Sequence, residues 1–242
     1  DGLRIADTTE RHKVGNAMPK MTGGFGTSLR YKNWALDMSF DFRIGGDVLN
    51  QPWQYMMDAG NIKDAVGARD AASGGLFYYS TADDVSKKGS IVRVDPSTIS
   101  NYKRGETKID GHLVWDNGVI QKGVKEDGTP NDIIVTQFEI NDSQYGWGTG
   151  ATKSYADAIQ KNSYVKCREI SLAYTLPTSL TKKFACTNLT ISAFARNPFY
   201  IYRSLKLFDS ETTDGTSWIY QAQIGGSTAS ARTFGVSLRA SF

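Results

Sequence analysis

The side chains that could do chemistry in this chain of 242 residues are scattered. Its two histidines, His12 and His112, lie far apart and lack acidic or cysteine neighbours at ligand spacing, so no metal site is expected. The stretch "GWGTGATKS" looks like a phosphate loop at a glance. Gly146 is followed five residues on by Ala151 and Gly148 by Lys153, however, and the glycine required before the Lys-Ser pair is missing. No G-x-S-x-G nucleophile motif occurs, and neighbouring acids such as Asp83 and Asp84 are common on solvated loops. A glycosidase needs two carboxylates at a set separation, which a linear sequence does not report. No catalytic residue and no cofactor is assigned. What remains is a set of rings: Trp53, Tyr55, Tyr78, Tyr79, Trp115, Tyr145, Trp147, Trp218 and Tyr220, all set among Asn, Asp, Gln and Ser. Flat rings are rigid apolar platforms and the neighbouring amides and carboxylates are directional, a mixture suited to sugar faces and their hydroxyls. The bland alternative is that these rings form small cores beneath long loops or pack against a partner.

The elements that must position such loops are strands. Residues 34–44, "WALDMSFDFRI", place Trp34, Leu36, Met38, Phe40, Phe42 and Ile44 on one face and Ala35, Asp37, Ser39, Asp41 and Arg43 on the other. Before them, residues 22–31 put Phe25, Leu29 and Tyr31 in phase, and only Lys32 and Asn33 intervene. A two-residue turn sets Tyr31 opposite Trp34, Leu29 opposite Leu36, Thr27 opposite Met38 and Phe25 opposite Phe40, so the apolar faces coincide. A slip of one residue would destroy that agreement. Rings cluster at both ends of the hairpin, as on lipid-facing barrel strands, although a soluble sandwich hairpin also alternates.

Alternation resumes at 164–174, where Ile170, Leu172 and Tyr174 share a face. Val165 and Cys167 fall on the other parity, which calls for a bulge near Arg168 and Glu169 or for a first half lying outside the apolar band. Residues 188–197 alternate again. So do residues 231–242, in which Phe234, Val236, Leu238, Ala240 and Phe242 are in phase. Between these strands lie long loops near 45–163 and 198–230, rich in Gly, Asn, Asp and Ser. Short β-like pieces such as "SIVRV" and "DIIVTQFEI" interrupt the first of them. An excursion of that length between two strands points to function, and short turns on one side with long loops on the other are the habit of outer-membrane barrels.

Composition agrees with an all-β chain: 24 glycines, 12% aromatic residues and few prolines suit many turns and strands. The formal charge of +3, with acids and bases interspersed, carries no footprint of a nucleic-acid binder. No run of eighteen apolar residues exists, so no transmembrane helix is expected. A spanning β-strand needs only about 9–11 residues. The opening "DGLRIADTTERHK" has no apolar core, so no signal peptide is expected within this chain, which leaves export open if a longer precursor preceded it. Cys167 and Cys186 would sit at different heights of a hairpin turning near Leu180, too far apart to bridge.

Several phrases together resemble the C-terminal part of SusC-like TonB-dependent outer-membrane transporters of Bacteroides-type bacteria: "VGNAMPKMTGGFGTSLRYKNWALDMSFDFRIGGDVLN", "NSYVKCREISLAYTLP", "LTISAFARNPFYIY" and "ARTFGVSLRASF". The resemblance is weak across 50–160. It implies a single-chain antiparallel barrel of 22 strands in the outer membrane of a Gram-negative cell, inserted by the barrel assembly machinery with Phe242 as the C-terminal insertion signal. Trp34, Leu36, Met38, Phe40, Phe42, Phe234, Val236 and Leu238 would then face lipid. It further implies a SusD-like surface lipoprotein as partner, an oligosaccharide or peptide ligand, and TonB acting through an N-terminal part not seen in these residues. Five strands are fewer than the roughly eight that can close a barrel, so a C-terminal fragment of such a transporter is expected. The competing expectations are a secreted or surface β-sandwich that binds glycans, and an enzyme on a β scaffold.

Overall fold

A computed structural model describes residues 2–5, 9–82, 90–146, 155–205, 207–212 and 229–242. In chain order, β1 (Pro19–Tyr31) and β2 (Trp34–Gly45) form a hairpin, and β3 (Asp47–Leu49) follows. The long excursion then contains α1 (Gln51–Asp58), β4 (Leu76–Ser80), β5 (Ile91–Arg93), β6 (Lys108–Ile109), β7 (His112–Ile120), β8 (Ile134–Thr136) and α2 (Gln137–Tyr145). The chain returns through β9 (Ile159–Lys161), β10 (Tyr164–Thr175), α3 (Thr178–Thr181), β11 (Asn188–Arg196), β12 (Tyr200–Arg203) and β13 (Thr233–Ser241). Two compact units result: Asp1–His12 with Pro52–Tyr155, and Lys13–Gln51 with Ala156–Phe242. All of the paired strands are antiparallel. No helix among the described residues is long and apolar enough to cross a membrane.

The second unit is built on a sheet of order β1-β2-β10-β11-β13, with β12 also pairing β10. The hairpin register pairs Tyr31 with Trp34, Leu29 with Leu36, Thr27 with Met38 and Phe25 with Phe40, and Lys32 takes the turn with a left-handed φ of 53°. Pairing across the other strands carries the same rows onward. Tyr31, Trp34, Tyr174, Ile191 and Leu238 form one row, and Leu29, Leu36, Leu172, Ala193 and Val236 the next. Thr27, Met38, Ile170, Ala195 and Phe234 form a third. One face is thus apolar throughout because each strand alternates with a period of two and every register brings like parities together. Phe25 and Phe40 stack at 5.0 Å, and Trp34 meets Tyr174 at 4.6 Å. The opposite face carries Arg30 paired with Asp37 at 2.9 Å and Arg196 paired with Glu169 at 3.2 Å.

The irregularity in 164–174 is a bulge. Cys167 stands opposite Phe40 and Glu169 opposite Ser39, leaving Arg168 as the extra residue. Val165 therefore lies opposite Phe42 and Cys167 opposite Phe40, both on the apolar face. At Asn197, with φ 50°, β11 ends, and β12 continues along β10 beyond the bulge, setting Tyr200 opposite Lys166. Cys167 and Cys186 are both buried, and the Cys167 thiol donates to the Glu169 carbonyl.

The first unit is more than loop. Its sheet runs β5-β4-β7-β6 with β8 on β7, and a small core of Met57, Ile62, Ala65 and Tyr145 packs beside it with Trp53 and Met56 at its margin. The stretch "DIIVTQFEI", β-like by composition, is strand only as far as Thr136. There the Thr136 hydroxyl accepts from the Glu139 N–H, and the Glu139 carboxylate accepts from the Thr136 N–H, a reciprocal cap that starts α2.

Candidate functional site

Three surfaces carry the residues of interest. The first is the apolar face of the large sheet. Phe234, Val236 and Leu238 are 71%, 76% and 66% exposed, and Trp34, Leu29 and Phe25 are about half exposed. Leu36, Met38, Phe40 and Phe42, further into the sheet, are partly covered by their row neighbours. Phe242 follows β13 and is 88% exposed. Ala193 and Ala195, the small members of their rows, leave a shallow apolar trough of about 500 Å³ between Ile170 and Leu172 on one side and Phe234 and Val236 on the other. A contiguous apolar surface of this kind is not a resting state in water; it marks contact with lipid or with another protein surface.

The second surface lies on the polar face at the bulge. Arg168 donates to Asp41 and to both carboxylate oxygens of Glu211, and Lys166, almost fully buried, donates to Glu211 and to Ser230 Oγ. Burial opposes the charge on Glu211, but the Arg168 and Lys166 cations outweigh it and hold the carboxyl below its usual range. Asp209 accepts from the Ser230 N–H at 2.9 Å, from Ser230 Oγ and from the Tyr200 hydroxyl. Burial again opposes, and these hydrogen bonds prevail, bringing its carboxyl to about 2. None of these charges was singled out from the sequence as a cluster. Only the parity break at Arg168 and Glu169 pointed toward it.

No family model matches the chain. Over 50 residues, 21% of this chain and 5% of the relative, the sequence is 38% identical to TonB-dependent receptor P3 of Formosa agariphila. The chain is similar to a TonB-dependent receptor. It also aligns with the structure of the RagAB peptide importer in its open-open state, over 93% of its own length and 17% of that chain, at 14% identity and a TM-score of 0.41. It therefore spans a small fraction of the length of either of these proteins.

The third surface of this receptor-like chain holds the loop aromatics, and the structure divides them. Trp53 and Tyr145 meet edge to face at 5.4 Å, and Tyr145 is buried in the small core, out of reach of a ligand. Tyr55 on α1 and Trp115 on β7 are each 39% exposed. Tyr79 stacks on His112 at 5.9 Å. Tyr78 stands opposite Trp115, and its hydroxyl donates to Asn117 Oδ1 at 3.3 Å. Burial, with help from the Glu139 charge, pushes the Tyr78 phenol up to about 12, so it stays a donor at neutral pH. Trp147, Trp218 and Tyr220, like Asp83 and Asp84, lie outside the described residues. The sequence reading did not single out Arg69, Arg104 and Phe138, which line one cleft of this unit. Among the described residues no group of three or more His, Cys, Asp or Glu could hold a metal ion.

Proposed function

We propose that the chain is a wall segment of a TonB-dependent, SusC-like nutrient importer of the Gram-negative outer membrane. It performs no catalysis of its own. The observation that carries this reading is the apolar face: five strands whose registers line up Trp34, Leu36, Met38, Phe40, Phe234, Val236 and Leu238 on one exposed side. A glycan-binding sandwich would cover that side with a second sheet, and the exposure of Phe234, Val236 and Leu238 argues against it. The likeness to a TonB-dependent receptor supports the same conclusion. Lipid then meets the apolar rows and Phe42, and an acyl chain suits the trough over Ala193 and Ala195. The polar face, with Arg30, Asp37 and Glu169, turns toward the lumen. The barrel assembly machinery handles the edge bearing β13 and Phe242, TonB supplies energy through another part of the protein, and a SusD-like lipoprotein captures ligand with the loops. Oligosaccharide is the favoured cargo because exposed rings such as Tyr55 and Trp115 stand among amides and carboxylates.

Size exclusion of the purified chain with and without a mild non-ionic detergent tests the reading. Aggregation in buffer that detergent relieves is the expected result. A stable soluble monomer in plain buffer would overturn it.

A further inference from the structure

The first unit contains a cleft of about 320 Å³ whose lining includes Asp58, Arg69, Arg104, Asn117, Gln137 and Phe138. We propose that it is a subsite for a carboxylate-bearing sugar, a uronic acid residue of an acidic oligosaccharide. The inference rests on the import reading only in expecting a glycan to reach this unit.

The best evidence is how Arg104 is held. Asp116, 6% exposed, takes Nε of Arg104 at 2.8 Å and Nη2 at 2.5 Å on its Oδ1, while its Oδ2 accepts the Ala71 N–H at 3.1 Å. The Tyr102 hydroxyl donates to the same Oδ1 at 3.1 Å, and Arg104 Nη2 also donates to the Arg69 carbonyl at 2.5 Å. Nε and Nη2 are thus fixed, and the guanidinium also bonds the Tyr102 hydroxyl, so it is preorganised as a cation on a half-exposed side chain. Such a buried carboxylate orients a guanidinium without occupying its outer edge.

Arg69 supplies a second cation. Its side chain is exposed and its hydrogen bond, to the Gly60 carbonyl, is long at 3.4 Å. Asn117 spends its Oδ1 on the Tyr78 hydroxyl, which leaves the Nδ2 donor. Gln137 donates Nε2 to Asn141 at 3.0 Å, and Asn141 is itself tied to the Ala65 carbonyl, so the Gln137 Oε1 acceptor is held in place. Phe138, 70% exposed on the first turn of α2, offers a ring at this cleft. Two guanidinium donors match one carboxylate, Asn117 donates to and Gln137 and Asp58 accept from hydroxyls, and the ring takes the apolar face of a pyranose. An acidic peptide would satisfy the arginines but leave no role for the exposed ring beside two amides.

The test is titration of the detergent-solubilised chain, by calorimetry, with a pentamer of galacturonic acid and with its fully methyl-esterified counterpart. Tri-glutamate serves as the peptide probe. The expected result is binding of the acid pentamer at least tenfold tighter than the ester, reduced tenfold or more by Arg69→Gln and by Phe138→Ala. Arg104→Lys, which keeps a charge beside Asp116, should weaken the acid pentamer by a smaller factor. Equal affinity for acid and ester, indifference to Arg69→Gln, or preference for tri-glutamate would each overturn the proposal. Loss of this site with detergent-dependent behaviour intact separates its failure from failure of the import reading.

Discussion

Replacing Met38 by arginine is the sharpest test of which face meets lipid. Trp34 to Ile44 covers ten residue steps, about 33 Å at about 3.3 Å per residue. A strand tilt of about 40° reduces that to a height of about 25 Å, the thickness of the apolar band of an outer-membrane barrel. Met38 and Ser39 fall near the middle of the span, on opposite faces. An arginine at the lipid midplane costs about 2–4 kcal/mol, or roughly 30-fold to several hundred-fold in the inserted population. Ser39→Arg places the same charge beside Gly26 and Glu169 in a polar groove of about 400 Å³, where water and a carboxylate are at hand. Membrane fractionation and the heat-modifiable gel shift of cells producing each variant give the readout. The expected result is loss of inserted protein for Met38→Arg, a smaller loss for Leu36→Arg nearer the turn, and near-normal insertion for Ser39→Arg. Equal losses at Met38 and Ser39 would refute the assignment of faces.

Further outcomes follow from the packing. A Cβ on Gly235 would stand 2.4 Å from the Phe194 ring, so Gly235→Ala should destabilise by about 1–3 kcal/mol in thermal or urea melts, and Phe194→Ala should relieve most of that cost in the double variant. Glu211→Gln leaves Lys166 and Arg168 short of a countercharge, and a cost of about 3–5 kcal/mol should show as faster proteolysis within 207–212, with cleavage elsewhere unchanged. Asp209 and Glu211 titrate below their usual ranges, so the stability they contribute is present at neutral pH and is lost as pH falls through their folded values. Protection of the same segment should hold to about pH 4 and fade toward pH 2, and loss already at pH 6 would contradict it.

The large sheet was legible because lipid-style alternation is a local, period-two signal, and the register of β1 on β2 follows from a two-residue turn. Even the bulge announced itself as a break of parity at Arg168. In the first unit, β5 and β8 fall within the β-like pieces "SIVRV" and "DIIVTQFEI", but neither β4 nor the pairing of any of these strands was legible in this way. β4, β5 and β8 are three to five residues long, too short to show a period, and hold together through partners distant in sequence. α2 could have been found, since Thr136 and Glu139 have the spacing of a capping box, but "DIIV" before it drew the eye to strand. The Tyr145 ring looked like a platform because a sequence reports ring type and neighbours; its burial depends on Met57, Ile62 and Ala65 closing over it. The Arg104 and Asp116 pair, twelve residues apart across two strands' worth of chain, has no local pattern to betray it.

The extra residue at Arg168 works like a shift of reading frame. On either side of it β10 obeys the same rule, but the rule is out of step by one. Removing Arg168 would set Cys167 next to Glu169 opposite the neighbouring pair Phe40 and Ser39, so alternation would run unbroken, with Val165 and Cys167 still on the apolar side and Tyr164 and Lys166 still on the charged one. A single deletion there should therefore keep every face and cost little more than a substitution that removes the Arg168 ion pairs to Asp41 and Glu211. Elsewhere in this strand, insertions and deletions should be tolerated only in pairs that restore the phase.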